Sequence, residues 1–355
     1  MAHFDRILAT THTLAEKNFT DATTEHRPFL GMIQAKGNMK FGMSGVSPQW
    51  NVKFKNLPLT GYSDAEQLEW ERSSQYRNSV LEWRGYRMTD VITEFEQLVN
   101  SGEQRLIDVY GEKSDEMLRD FKNRFPTELL QVDGSASGNG KKFHGLPSIF
   151  GDDGTATNAD ELINPSDTYG GLSTVLGTYG GSSAADSEYD FWSPTLVNSG
   201  YSSSSWTASA DERVRTAIQE LTKANNDEDV PDIVLCTKTA YRQFINLIDG
   251  KEQIFRQSPS DSIAARVGFK RLIEFDGCDV AWSNDVPSSA IGNATTFDAY
   301  VLNFDYLELW FLHDQMVKAG SQFDPDQLAW KFWISLYGNM FIRSPRHQGI
   351  IQDYA

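Results

Sequence analysis

Residues 50–54 read Trp-Asn-Val-Lys-Phe, so that Trp50, Val52 and Phe54 alternate with Asn51 and Lys53. Alternation at period two puts the apolar side chains on one face of a strand and the polar ones on the other. Leu57-Pro58 ends the run, roughly twenty mostly polar residues follow, and a second extended run, SVLEWRGYRM, returns at 79–88. Two strands joined by so long a polar segment make an open hairpin. A two-stranded piece has too little apolar surface to stand alone in water. This stretch therefore demands something to lie on. Its apolar face, Trp50, Val52 and Phe54, is expected to be buried between subunits and not within one.

The rest of the chain is large enough to supply a folded body. At 355 residues it has room for two or three domains, and 39% apolar with 12% aromatic residues excludes a wholly disordered chain. No run of about 18 apolar residues is present to span a membrane. The N-terminus has Phe4, Ile7, Leu8 and Leu14 at helical spacing but carries Asp5, His12 and Glu16, which makes residues 4–18 an amphipathic helix and not a signal peptide. Cys236 and Cys278 sit in strand-like text and read as small core side chains of a reducing compartment.

After the hairpin, Asp90 is read as the cap of one long helix. Val91, Phe95, Leu98, Leu106, Tyr110, Met117, Phe121 and Phe125 mark one side of it, and Pro126 is expected to end it. Such a helix of about 36 residues would run roughly 54 Å and serve as a structural spine. Residues 133–206 are rich in Gly, Ser and Asp and read as extended, irregular chain. Regular text resumes with Ser209 and Glu212 as a capping box, followed by inward-facing Val214, Ile218 and Leu221. PDIVLCT is a strand, and TKTAYRQFINLIDG is a helix with Tyr241, Phe244, Ile245 and Ile248 on one face. CDVAWSNDVP and AYVLNFDYLELWFL read as strands, and AWKFWISLYGNMFIRSPRHQGII as one long closing strand. The second half is thus an α+β unit with a mixed or antiparallel sheet.

The formal charge of −17 is unevenly spread: residues 1–87 carry +2 and the remainder −19. An acidic body lacks the basic footprint of specific nucleic-acid binding. The mildly basic first quarter suits an acidic surface, such as that of another copy.

Sites for chemistry are sparse. DTYGGLSTVLGTYGG, with Gly170, Gly171, Gly180 and Gly181, has no lysine, and DGSASGNGKKF puts Lys142 where a P-loop needs a hydroxyl and misspaces Gly134 from Gly140. The glycines are expected to supply positive φ and close backbone approach. The histidines at 3, 12, 26, 144, 313 and 347 form no metal-ligand pattern. Asp152, Asp153 and Asp160 read as a solvated acidic loop, without the order of a calcium-binding loop. No catalytic, cofactor or metal residue is nominated, and no cofactor is expected. A hydrolase with an unrecognised Ser-His-Asp triad is the reading from a different functional class.

The order of parts resembles that of the major capsid proteins of tailed bacteriophages, the Hong Kong 97 fold. The stretches that carry the likeness are HRPFLGMIQAKGNMKFGMSGVSPQWNVKF, SVLEWRGYRMTDVITEFEQL, FHGLPSIFGD, YGGLSTVLGTYGG with the following YDFWSP, DIVLCTKTAYRQFINLI and LYGNMFIRSPRHQGII. The resemblance implies an α+β capsid fold with an N-terminal arm at 1–36 and an extended E-loop hairpin at 37–88. It further implies a spine helix with peripheral-domain segments at 89–206, an axial domain at 207–325 and a C-terminal peripheral strand at 326–355. The function it implies is self-assembly as hexamers and pentamers into an icosahedral virion shell, put together in the host bacterial cytoplasm around double-stranded DNA that it does not read by sequence. Expected partners are copies of itself, a scaffolding protein, a portal protein and a decoration protein. With about 36 residues before the hairpin, a scaffolding domain within the chain is not expected, which points to a separate scaffold. One branch of the family joins an E-loop lysine to a distant asparagine. Lys40, Lys53 and Lys55 are the lysines available here, though lysines on an exposed strand face are ordinary. A cellular nanocompartment shell protein, an encapsulin, shares this fold and is the close alternative; the long polar stretch 133–206 favours the phage.

Overall fold

The computed structural model describes residues 28–354 apart from 58, 65, 66, 68, 69, 71, 100–108, 157–160, 184, 185, 187, 202, 203, 223–229, 251–255, 258–271 and 315. The helix expected at 4–18 lies outside the described residues. Two sheets organise the rest. In the first, the long strand Ala329–Ile342 pairs antiparallel with Arg84–Thr93, Lys318–Asp324 and Leu307–Phe311, and the short strand Met39–Lys40 adds parallel to Leu307–Phe311. In the second, the order is Arg256–Gln257, Ile273–Phe275, Cys278–Trp282, Ile233–Cys236, Thr296–Leu302, Gly349–Asp353 and Thr195–Asn198, with both parallel and antiparallel neighbours. The mixed α+β reading holds.

The seven-stranded sheet is buried on both faces, which is why Ile233–Cys236 is apolar at every position and does not alternate. Val234 and Cys236 pack with Val214, Ile218, Leu221, Phe244 and Ile248 of the helices Trp206–Thr222 and Lys238–Gly250. Ile233 and Leu235 belong to the larger core shared with the first sheet. The helical faces expected from Val214, Ile218 and Leu221 and from Tyr241, Phe244 and Ile248 are buried. Ser209, with φ −136° and ψ 15°, stands at a kink between a helical turn that begins at Trp206 and the helix that carries Val214, Ile218 and Leu221, but the capping-box use expected of its side chain with Glu212 is corrected. Its hydroxyl donates back to the Ser205 carbonyl at 3.3 Å.

Two runs read as continuous strand text each break once and change sheets. Thr296–Leu302 lies in the seven-stranded sheet and Leu307–Phe311 in the other, with a tight turn at Phe304–Tyr306 between them. Ala329–Ile342 and Gly349–Asp353 cross in the opposite sense through a turn at Pro345–His347. The crossings clamp each other. The buried Asn303 N–H donates to Gln348 Oε1 at 3.2 Å, and Gln348 Nε2 donates to the Asn303 carbonyl at 2.8 Å. Tyr306 and His347 stack at 4.0 Å. Residues 307–324, grouped by sequence order with 207–325, therefore pair into the sheet of Ala329–Ile342. Residues 349–353 pair into the other sheet.

The spine differs from its expectation at both ends. Asp90 is still strand, paired with Phe332. The helix Glu94–Val99 starts instead with a reciprocal capping box: Thr93 Oγ1 accepts the Glu96 N–H at 3.3 Å, and Glu96 Oε2 accepts the Thr93 N–H at 3.2 Å. The second helix, Val109–Gln131, is about 35 Å long and runs through Pro126. Proline removes one donor from the helix ladder. Tertiary contacts hold the turn beyond it: Thr127 Oγ1 donates to Asp285 at 2.7 Å, Gln131 Nε2 to the Asp285 carbonyl at 2.9 Å, and the Tyr300 hydroxyl to the Leu130 carbonyl at 2.9 Å. Met117, Phe121 and Phe125 are buried as the spacing predicts, whereas Phe95 and Leu98 are exposed. The strands in the described part of 133–206 are all short, of two to five residues, Thr195–Asn198 among them, yet Phe143, Phe150, Tyr169 and Trp192 are among the largest wholly buried side chains.

These placements separate two phenylalanine- and leucine-rich faces that periodicity joins. Leu129→Ala is expected to cost the dispersed subunit about 2–5 kcal/mol, and Phe95→Ala no more than about 0.5 kcal/mol. Equilibrium denaturation of the two variants checks the contrast.

Candidate functional site

The hairpin consists of Gln49–Lys53 and Tyr76–Val80 in antiparallel register, Trp50 opposite Ser79 and Val52 opposite Arg77. Phe54 lies just past the first strand, and its N–H donates to the Gln75 carbonyl at 3.0 Å. Its base is docked on its own chain. The Trp50 ring lies 5.6 Å from Phe341 edge-on, 6.5 Å from Tyr169 and 6.3 Å from Trp192. Phe54 packs on Phe191 at 5.5 Å, and Arg77 lies over the rings of Phe54 and Tyr179 at 5.2 and 5.1 Å. The expectation that Trp50 and Phe54 are buried between subunits is thus corrected. The period-two face was right; its partner is the aromatic segment 167–192, whose irregular sequence gave no sign of a packing surface.

The glycine-rich run at 167–181 supplies the latch. Tyr169 and Leu172 bracket a tight turn in which Gly170 and Gly171 have φ of +60° and +76°. The Gly170 carbonyl accepts the Val80 N–H at 2.9 Å and the Ser79 hydroxyl at 3.1 Å. A Cβ on Gly170 would collide with that hydroxyl. Glycine is required here for a left-handed turn that lets a strand approach.

DGSASGNGKKF is also no phosphate cradle. A P-loop turns backbone N–H groups towards an anion. This loop turns carbonyls towards a cation: Arg84 Nη1 donates to the carbonyls of Gly134 and Lys142, both at 2.7 Å. Beside it, burial holds the His144 imidazole down at about 4, with the Arg84 charge adding to the effect.

Three lysines of the first quarter have acidic partners in their own chain. Lys36 pairs with Asp232 and Asp305 at 2.8 and 2.9 Å, and Lys55 with Glu188 at 2.7 Å. Lys40 and Arg343 share the buried Glu308, which also accepts the Trp310 indole N–H. The acidic surface expected for these lysines is that of the same subunit. Of the three lysines considered for cross-linking, Lys40 and Lys55 are ion-paired in this way, and Lys53 lies on the exposed hairpin face. Asp152 accepts the N–H groups of Gly154 and Asn293, and Asp153 that of Thr155; Asp160 lies outside the described residues. Cys236 and Cys278 are unpaired and buried, and burial pushes the Cys278 thiol up to about 12. Ser344 Oγ lies 2.8 Å from His347 Nδ1, in the stacked turn that joins the sheets. Among the described residues no group of three or more His, Cys, Asp or Glu is placed to hold a metal ion. No described helix is long and apolar enough to cross a membrane.

Beyond the docked base the hairpin projects large apolar side chains into solvent. Trp70 is 89% exposed, Leu57 67% and Tyr62 66%, and Leu59 is fully exposed. The base is a packed joint, and the tip is a surface without a covering among the described residues.

The latch predicts a coupled pair of substitutions. Gly170→Ala should cost about 1–3 kcal/mol from left-handed strain and collision with Ser79. The same change in a Ser79→Ala background should cost measurably less, a coupling that a double-mutant denaturation cycle reads.

No family model and no curated protein sequence matches the chain. Solved structures resemble it along nearly its whole length. The cyanophage A-1(L) capsid asymmetric unit is similar with a TM-score of 0.61 at 14% identity, covering 98% of each chain. The capsid of a native GTA particle gives 0.60 at 11%, covering 97% of each. The holo encapsulin complex from Synechococcus elongatus gives 0.53 at 10%, covering 94% of this chain and 91% of that one. At these identities the likeness is one of fold: the chain has the α+β, Hong Kong 97-type fold of tailed-phage capsid proteins.

Proposed function

We propose that this chain is the major capsid protein of a tailed bacteriophage, a structural and not an enzymatic subunit. It assembles as hexamers and pentamers into the icosahedral shell of the virion, in the host cytoplasm, around double-stranded DNA. The observation that carries the reading is the exposed tip of a hairpin whose base is already docked. Leu57, Leu59, Tyr62 and Trp70 are presented to solvent on a capsid-type fold. Each large apolar side chain contributes about 1.5–3 kcal/mol when buried, and a closed symmetric assembly repeats the contact at every copy. The tip is the part of the E-loop, residues 37–88, that lies over a neighbour.

In this reading residues 1–36 form the arm. The seven-stranded sheet and its two helices form the axial part, built from 207–325 with strands borrowed from 195–198 and 349–353. The spine helices and the sheet of Ala329–Ile342 form the peripheral part. A separate scaffolding protein, a portal protein and a decoration protein are the further partners it predicts. An encapsulin-like compartment is the alternative, since an encapsulin shares the fold; enzyme cargo inside the particles, in place of DNA, distinguishes it.

Replacing Leu57, Leu59, Tyr62 and Trp70 together by serine tests the proposal. The expected product is a soluble subunit melting within about 2 °C of the parent that builds no shells in electron micrographs, whereas the parent builds them, with scaffold if needed. Normal shells from the variant contradict the role of the tip. A parent chain that stays monomeric at every concentration, with scaffold present, contradicts the capsid reading itself.

A further inference from the structure

The strand Lys318–Asp324 lies at an edge of the first sheet and is exposed on both of its faces. It pairs with the long strand from Lys318 opposite Ser335 to Asp324 opposite Ala329, without a register shift. Lys318, Ala319, Ser321, Gln322 and Phe323 are exposed, and only Gly320 and Asp324 are half-buried. Phe323 stays exposed although its ring packs on Trp330 at 5.4 Å. No described strand pairs with the other edge. Such an edge offers a row of unpaired N–H and C=O groups, which proteins blunt with proline, bulges or inward-pointing charge. Lys-Ala-Gly-Ser-Gln-Phe-Asp has no proline, its ladder has no bulge, and its charges stand at its two ends.

The order of its residues points to a partner for that edge. Set antiparallel against a second copy of itself about Ser321, the strand brings Lys318 opposite Asp324, Ala319 opposite Phe323 and Gly320 opposite Gln322. Both ends then join opposite charges, and opposite charges across a strand pair stabilise it where like charges destabilise it. Each larger side chain in the middle meets a small one. In-register parallel pairing would instead set Lys318 against Lys318 and Asp324 against Asp324. Ser321 serves as the centre whichever backbone groups point outwards, because residues equally far before and after it are opposed in hydrogen-bonded and non-hydrogen-bonded pairs alike. Asp324 accepts hydrogen bonds from the Lys331 ammonium and the Asp326 N–H, so Lys318 of the second copy joins a carboxylate already held in place. We propose that Lys318–Asp324 pairs antiparallel with the same strand of a second copy, on a two-fold axis at Ser321, and so joins the first sheets of two subunits into one continuous sheet. The contact is isologous and closes on itself. It is separate from the hairpin tip, and it concerns two copies of the chain whether or not they go on to close a shell.

The test is disulfide formation between full-length chains. Directly opposed residues of an antiparallel pair have Cα atoms about 4.5–5.5 Å apart, within the span of a disulfide. Ala319 and its counterpart in the second copy are offset by four residues, about 13 Å along the strand, and so are the two copies of Phe323. Both native cysteines are buried, and the three substituted positions are exposed, so each variant should fold as the parent does. Under mild oxidation of concentrated protein, Ser321→Cys should form a covalent dimer at least about tenfold faster than Ala319→Cys or Phe323→Cys alone. Mixing Ala319→Cys with Phe323→Cys should restore dimer formation to the Ser321→Cys rate. A Ser321→Cys chain that cross-links no faster than Ala319→Cys, or a mixture that dimerises no faster than its two components, overturns the proposal.

Discussion

Tyr169 is the joint on which the hairpin, the long strand and the irregular middle segment all depend. Its hydroxyl accepts the Ile342 N–H at 3.0 Å and donates to the Met340 carbonyl at 3.3 Å, and its own carbonyl accepts the Trp192 indole N–H at 3.1 Å. Its ring is wholly buried against Trp50, Trp192 and His144. Buried polar groups must find partners, and here one phenol serves two backbone groups on the long strand Ala329–Ile342 of the first sheet. The glycine pair that follows then turns the chain sharply enough to hand its carbonyl to the hairpin. A segment with little regular secondary structure thus contributes Tyr169, Phe191 and Trp192 to the core.

Charge has a smaller part than its uneven distribution suggests. Three lysines of the basic first quarter, Lys36, Lys40 and Lys55, are paired inside the same chain, at Asp232, Asp305, Glu308 and Glu188. Glu308 is the most constrained of these: it is buried, and Lys40, Arg343 and the Trp310 indole surround its two oxygens. Exposed pairs contribute only about 0–1 kcal/mol each. The hairpin tip is left with mainly apolar exposed area at Leu57, Leu59, Tyr62 and Trp70, so under the proposed capsid function contacts made through it should depend less on salt than charge pairs would.

Local signals were legible in the sequence where one partner surface sufficed to explain them. The helix Lys238–Gly250 and the strand Ile233–Cys236 stand where their patterns place them, and Trp50, Val52 and Phe54 share a strand face as expected. The misreadings arise where tertiary contacts outweigh local preference. Asp90 looked like a helix cap, but Val91 and Ile92 are drawn into pairing with Lys331 and Trp330, which moves the cap to Thr93 and Glu96. Pro126 looked like a stop, but contacts from Asp285 and Tyr300 hold the turn beyond it. The break near Asn303 is invisible in hydropathy because Asn303 sits in the apolar run AYVLNFDYLELWF, and its backbone is bonded by the Gln348 side chain from 45 residues away. The hairpin's partner was missed for the related reason that Gly, Ser and Asp composition says nothing of where Tyr169, Phe191 and Trp192 converge.

The central claim is that the hairpin base is docked on its own subunit, and thiol reactivity reads it directly. Both native cysteines are wholly buried, so the background is low. Ser79 is buried at the latch and Ser74 is exposed further out along the hairpin. In dispersed, native subunits, Ser79→Cys should react no faster than the native cysteines, and Ser74→Cys should react at once. Labelling of Ser79→Cys as fast as Ser74→Cys in the subunit, with protection gained only in assembled shells, would contradict the account.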